Sequence, residues 1–178
     1  MIDQLMELFA TRTSCRSYLD TPVPDAMLNK CLEAARLAPS ACNRQPWRFV
    51  IVKDPAIRAD ICHSGFLPGI PMPWAAKAPV IVVLCIKKSL LQHQISPLIS
   101  GIDYPMLDCG IAGEHFVLAA EAQGLGTCWI GWFKVKKVKR LLKLPFGVKP
   151  VSLLTLGFPD EKTEPRSRLP LDEISRIL

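Results

Sequence analysis

Apolar and polar positions follow two periods along this chain. Apolar residues recur at helical spacing over residues 3–11, 25–37 and 108–123. The last run is the longest; Ile111, Phe116, Leu118, Ala119 and Ala122 are predicted to form its buried side and Gly124 its stop. A fourth helix is predicted over residues 134–143, where Val135, Val138, Leu141 and Leu142 recur among cations. Strand patterns cover residues 47–52, 79–86, 127–131 and 151–156. The second of these is almost continuously apolar, as expected of a strand covered on both faces. Pro24-Asp25 opens the second helix, and Asp54-Pro55 opens a short one after the first strand. Residues 65–74 form a proline-rich excursion, and the chain from residue 160 is charged and proline-punctuated until a short amphipathic segment at 171–178. No repeat interrupts the alternation. It predicts an α/β or α+β sandwich of one domain spanning residues 1–178, with a C-terminal arm that wraps a neighbour.

Composition sharpens this picture. A chain of 178 residues can bury a sizeable core. Its 49% hydrophobic content and mean hydropathy of +0.23 leave apolar surface over for a partner. The longest apolar stretch, residues 78–86, contains Pro79 and falls far short of the roughly 20 residues of a membrane helix. The N-terminal residues lack the basic flank and apolar core of a secretory signal, so a cytoplasmic protein with no membrane partner is expected. Seven cysteines, an odd number with no Cys-x-x-Cys pair, fit reduced thiols. Cys62-His63 is the one close pairing of soft ligands, and Glu114-His115 lacks the second histidine of a zinc helix, so no metal site is expected. The net charge of +6 is concentrated at residues 134–143, which read as a solvated basic helix face. Interleaved aromatics and a second basic element are missing there, so no nucleic-acid partner is expected.

Three polar runs carry the candidate chemistry: Arg12-Thr13-Ser14-Cys15-Arg16, then Pro39-Ser40-Ala41-Cys42-Asn43-Arg44-Gln45-Pro46-Trp47, then Arg166-Ser167-Arg168. Guanidinium forks and a serine hydroxyl match a phosphate dianion through paired, charge-assisted hydrogen bonds. Between the last two runs lies the glycine-bounded strand Gly124-Leu125-Gly126-Thr127-Cys128-Trp129-Ile130-Gly131, whose backbone can approach a flat molecule. A binding site for a planar, phosphate-bearing molecule, assembled from both ends of the chain, is expected. Asn43 beside Gln45-Pro46 has an equal claim as turn chemistry, whereas Trp129, Cys42 and Cys128 read first as packing residues. Phe66 and Trp74, large aromatics on a loop, mark the mouth of a pocket.

In this order and spacing, the runs together with Leu154-Thr155-Leu156-Gly157-Phe158-Pro159 resemble the flavin-dependent nitroreductase family over nearly the whole chain. The resemblance implies an α+β, three-layer fold with a mixed central sheet flanked by helices, and a C-terminal arm exchanged in a homodimer. It implies FMN at the dimer interface, and electrons passing from NAD(P)H through the flavin to nitroaromatic, quinone or related acceptors by a ping-pong mechanism. The alternative is a flavin carrier or redox-partner protein with little NAD(P)H turnover. Carried over to this sequence, Arg12, Thr13, Ser14, Arg16, Arg166 and Arg168 contact the phosphate and ribityl chain. Pro39, Ser40, Asn43 and Gln45 contact the ring or ribityl, partly from the partner subunit, and the backbone of Trp129, Ile130 and Gly131 approaches flavin N5 and O4. Arg44 or Arg48 supplies a cation to the N1 and O2 edge. No residue is expected to act as catalytic acid or base, since the flavin performs the chemistry. Phe66, Trp74 and Tyr104 are expected in the acceptor pocket, on walls formed by residues 62–74 and 89–105. A basic helix face also attracts pyridine nucleotides. Two departures from the family pattern stand out: Thr13 replaces a second arginine, and Ile70-Pro71-Met72-Pro73 replaces an asparagine and a lysine near the flavin pyrimidine.

Overall fold

The computed structural model describes residues 1–87, 101–161 and 163–178. In chain order come α1 (Ile2–Thr11), α2 (Asp25–Arg36), β1 (Trp47–Val52), α3 (Pro55–Asp60) and a π turn (Ile61–Gly65). They are followed by β2 (Val80–Lys87), α4 (Tyr104–Glu121), β3 (Gly126–Ile130), α5 (Val135–Leu141), β4 (Val148–Gly157) and α6 (Leu171–Ile174). The strands form one sheet in the order β1-β2-β4-β3. Every neighbouring pair is antiparallel, where a mixed sheet was expected. The reason is an insertion. α4 carries the chain from β2 to β3, two strands that do run parallel, as a helical crossover requires. β4 then slots between them and makes each contact antiparallel.

The alternation of β2 separates two cores. Val80 and Val82 face Cys31 and Ala35 of α2 and Phe116, Val117 and Ala120 of α4, while Leu84 and Ile86 face Cys109 and Ala112. Ile81, Val83 and Cys85 turn the other way, toward Ile61, Ala75, Phe133 and Val138. Covered on both faces, residues 80–86 are all buried, which accounts for the unbroken apolar run. Pro150 interrupts β4 without an N–H to offer, and the register slips there: Leu84 faces Ser152, but Cys85 faces Pro150.

α4 begins earlier than the apolar period predicts. Asp103 caps it by accepting from Met106 N at 3.2 Å, and Pro105 occupies the first turn. Its end is as expected, with Gly124 at φ +75 and Leu125 N donating to Ala120 O at 3.0 Å. Its buried side differs from the expected one except at Phe116: Asp108, Cys109, Ala112, Gly113, Val117 and Ala120 face inward, whereas Ile111, Leu118 and Ala119 are half-buried and Ala122 is exposed. Small residues face the sheet because the helix lies so close to it. A Cβ on Gly113 would stand 2.2 Å from the Trp129 ring. Apolar surface is left uncovered elsewhere. α1 buries none of its residues and exposes Ile2, Leu5, Met6 and Phe9, and the C-terminal segment exposes Leu169, Leu171 and Ile174. Among the described residues no helix is long and apolar enough to cross a membrane.

Candidate functional site

β3 is an edge strand, and the segment after α1 lies along its outer side. Ser14 makes a single parallel bridge to Thr127, with Cys15 N donating to Thr127 O at 2.8 Å. The approach is tight enough that a Cβ on Gly126 would meet Cys15 Cβ at 2.6 Å. The buried Tyr18 hydroxyl pins the same segment, donating to Cys15 O at 2.8 Å and standing 2.6 Å from the Thr155 hydroxyl. Burial raises the thiol pKa of both Cys15 and Cys128, so these cysteines stay protonated and pack rather than react.

This arrangement brings both ends of the chain together. A recess of about 100 Å³ is lined by Arg12, Thr13, Ser14 and Arg16 from the first polar run and by Thr163, Glu164, Arg166 and Arg168 from the arm. Thr163 and Glu164 were not foreseen. Among the described residues there are two ion pairs, Arg36–Glu33 and Lys53–Asp25, and neither involves the recess. Four guanidinium groups thus share one concavity without a salt-bridged carboxylate. Glu164 adds one carboxylate to the same lining, so the recess keeps a positive excess that an anion can neutralise. Arg16 also lies over the Trp74 ring, 5.7 Å from its centroid.

Along β3 the backbone faces outward at fixed positions. In an antiparallel ladder, alternate residues turn both backbone groups to the same side. Because Thr127 O points outward to Cys15, the N–H and carbonyl of Trp129 point to that open edge as well, where the carbonyl meets the Cys128 thiol at 3.6 Å. The Trp129 ring turns inward over Gly113, Ile130 is buried, and Gly131 is exposed. Just beyond, the proline-rich excursion is clamped to the residues that leave β3. Leu67 N donates to Trp132 O at 3.2 Å, Trp132 Nε1 to Pro68 O at 2.8 Å and Lys134 N to Gly65 O at 2.6 Å.

That clamp shapes a second concavity, a groove of about 780 Å³. Phe66 lines it with Cys62, His63, Met72 and Lys134. Of the other two aromatics expected in one pocket, Trp74 packs against Cys15, Tyr18 and Ala78 beneath Arg16, and Tyr104 sits half-buried in the first turn of α4. Neither lines the groove. Residues 89–100 of the expected second wall lie outside the described residues.

Pro39, Ser40, Asn43 and Gln45 occupy the opposite side of the sheet, in the loop that leads into β1. They do not line the recess. Ser40 Oγ accepts from Gln45 N at 2.9 Å, and Gln45 Nε2 donates to the carbonyl and side-chain oxygens of Asn43 at 3.0 and 3.1 Å. Cys42, Asn43 and Gln45 all take positive φ, a costly run for residues other than glycine. The buried Asp108 of α4 holds the loop in place, its Oδ1 accepting from Ala41 N at 3.0 Å. Of the two cations expected near a ring edge, Arg48 is tied to Gln45 O at 3.1 Å and Trp47 O at 2.5 Å, and Arg44 is exposed.

Comparison with known proteins agrees with this layout. The model of the nitroreductase family matches residues 9–69 and 66–158. An NADH dehydrogenase of Thermus thermophilus is 32% identical, with 92% of this chain and 90% of the relative covered. An FMN reductase [NAD(P)H] of Bacillus subtilis is 29% identical, covering 98% of this chain and 73% of the relative. The crystal structure of a nitroreductase family protein of Streptococcus pneumoniae superposes with a TM-score of 0.85 at 28% identity, covering 98% of this chain and all of that one. A match that runs through the first polar run, the sheet and the strand edge, shared with proteins of the same fold, has one meaning: the chain belongs to the nitroreductase family.

Proposed function

We propose that the protein is a cytoplasmic, single-domain FMN-dependent oxidoreductase that takes electrons from NAD(P)H and gives them to nitroaromatic, quinone or related acceptors in a ping-pong cycle. The observation that carries this reading is the recess, where four arginines, none of them in an ion pair among the described residues, stand beside Thr13 and Ser14. The donor set fits a phosphate monoester: forked N–H groups for its oxygens and hydroxyls for the bridging side. FMN, once bound, supplies the two-electron chemistry that no side chain here can perform. Arg12, Arg16, Arg166 and Arg168 hold the phosphate, and Ser14 orients it. The Trp129 N–H on the open edge of β3 offers a fixed donor to the ring, aligned by the ladder to β4 and needing no rearrangement. The groove beyond Gly131, walled by Phe66 and Met72, receives the acceptor and excludes water from one side.

The same reading makes the active unit a homodimer. Sheet spacing puts the two edge strands about 14 Å apart, so the Ser40–Gln45 loop of one chain cannot reach a molecule seated at the β3 edge of that same chain. A second copy supplies the loop, and its docking covers the apolar faces of α1 and the arm. Anaerobic mixing of the FMN-loaded protein with NADH or NADPH tests the function. Bleaching of the flavin absorbance followed by reoxidation on adding a nitroaromatic or a quinone is expected. A protein that holds FMN yet is bleached by neither nicotinamide acts instead as a flavin carrier or redox partner.

A further inference from the structure

The groove beneath the excursion is lopsided in its chemistry. Its walls are apolar, with Phe66, Leu67, Ile70 and Met72 among them, and its ionisable lining groups among the described residues are Cys62, His63 and Lys134, with no carboxylate. Burial raises the pKa of the Cys62 thiol, so that group is neutral. Lys134 stands at the rim, its Nζ 3.4 Å from Ser64 O and in no ion pair among the described residues. The surroundings repeat the imbalance. Residues 122–159 hold seven lysines and arginines and no aspartate or glutamate, while the rest of the chain has fifteen cations and sixteen acids. The whole positive excess therefore sits in this stretch. Lys136 and Arg140 are exposed on α5, the helix that begins just after Lys134. Asp60, exposed between the lining residues Ala59 and Cys62, is the nearest acid in sequence, so the cationic excess of residues 122–159 outweighs it without being the only charge nearby.

We propose that this groove selects acceptors with a flat apolar body and an anionic group, the anion held by Lys134 and drawn in by the basic face of α5. The proposal deepens the function given above and rests on it. Prolines, Phe66 and Met72 offer ring and thioether faces to a planar body without competing for its hydrogen bonds, while a lone ammonium among them prefers a carboxylate to a neutral amide. With a nitro group as acceptor the reaction balances as Ar–NO₂ + NAD(P)H + H⁺ → Ar–NO + NAD(P)⁺ + H₂O. The electron pair and one hydrogen come from the nicotinamide as hydride, one proton comes from solvent, and one N–O bond breaks to release water.

The test compares 4-nitrobenzoate with its neutral isostere 4-nitrobenzamide, read as the ratio of their kcat/KM values in FMN-loaded protein. Wild type should favour the benzoate, and Lys134→Gln should shrink that preference about fivefold, as expected for one solvent-exposed charge contact. Added salt at about 0.5 M should shrink it in wild type as well, by screening. A second arm needs no turnover: 4-nitrobenzoate should quench the fluorescence of Trp132, whose ring N–H holds Pro68 O at the groove, with Trp132→Phe identifying the signal. Weaker quenching in Lys134→Gln is expected. Quenching that depends on Lys134 in a protein whose flavin neither nicotinamide bleaches would strike down the oxidoreductase reading and leave the anion site standing. Reduction of both compounds with a ratio indifferent to Lys134 and to salt overturns the anion site and leaves the oxidoreductase reading intact.

Discussion

The two edges of the sheet carry polar runs of similar composition and use them in opposite ways. At the β1 edge, the Ser40, Asn43 and Gln45 side chains are spent on their own turn, and Asp108 anchors it from α4. At the β3 edge, Arg12, Arg16, Arg166 and Arg168 converge with no salt-bridged acid among the described residues. Side chains bonded within their own turn build a shape, whereas arginines that donate only to nearby carbonyls, as Arg16 and Arg168 do, keep a net charge for an anion to neutralise. In the proposed site the first region would contribute contour, and the second most of the binding free energy.

Removing the arm should separate the two edges most sharply. Deleting residues 160–178 takes away Arg166 and Arg168, worth roughly 1.5–3 kcal/mol each as charged contacts, so FMN affinity should fall more than about a hundredfold. The same truncation uncovers apolar surface and should convert dimer to monomer or aggregate, read by sedimentation. A truncated chain that stays dimeric and flavin-loaded would dissolve the contrast. Arg12→Ala should act next most strongly, weakening FMN binding about tenfold to a hundredfold with the thermal midpoint of the flavin-free protein unchanged.

At the other edge the effect should reverse. Asp108→Ala removes the anchor of the Ser40–Gln45 loop and should cost roughly 1.5–3 kcal/mol of folding stability, while FMN affinity falls less than in Arg12→Ala. Denaturant titration and flavin titration on the same two variants read both quantities. Equal effects on stability and affinity at both edges would erase the distinction.

A milder effect concerns pH and lies between the edges, in the core. Burial pushes the Cys31 thiol up to about 11 and those of Cys85 and Cys109 to about 12, from an ordinary value of 9.0. The fold thus holds these protons more tightly than the unfolded chain does. Their stabilising effect is complete below about pH 9 and is lost as pH rises through 11 and 12. Denaturant midpoints should be flat from pH 7 to 9 and fall above that, and a midpoint that rises with alkaline pH would contradict the burial of these thiols.

What the amino-acid pattern reveals follows from how local its cause is. β1 matches its expected span because Pro46 and Asp54-Pro55 bracket it, and β2 lies one residue from its expected 79–86 because two covered faces demand an unbroken apolar run. The order of the strands is not legible, since β4 enters between β2 and β3 through contacts distant in sequence. The inward side of α4 was misread for a related reason. Large apolar residues normally mark the buried face, but here Gly113 makes room for Trp129 and the small residues face the sheet. The arginines of the recess were legible from both ends of the chain, whereas Thr163 and Glu164 carry no local signal. Asp108 did leave one, a lone acid within the run Met106-Leu107-Asp108-Cys109, where burial of a charge demands a partner. Trp74 was expected at a pocket mouth because it sits on a loop, yet its neighbours make it the platform under Arg16.

The most direct test of the phosphate recess is a pair of binding titrations, FMN against riboflavin, on the wild-type protein and on Arg12→Ala. The two ligands share the ring and ribityl chain and differ in the phosphate alone. Several charge-assisted contacts at roughly 1.5–3 kcal/mol each predict that wild type binds FMN at least about a hundredfold more tightly than riboflavin, and that Arg12→Ala narrows this gap while leaving riboflavin affinity in place. Equal affinity for the two flavins in wild type, or a gap that Arg12→Ala leaves intact, would contradict the assignment of the recess to a phosphate.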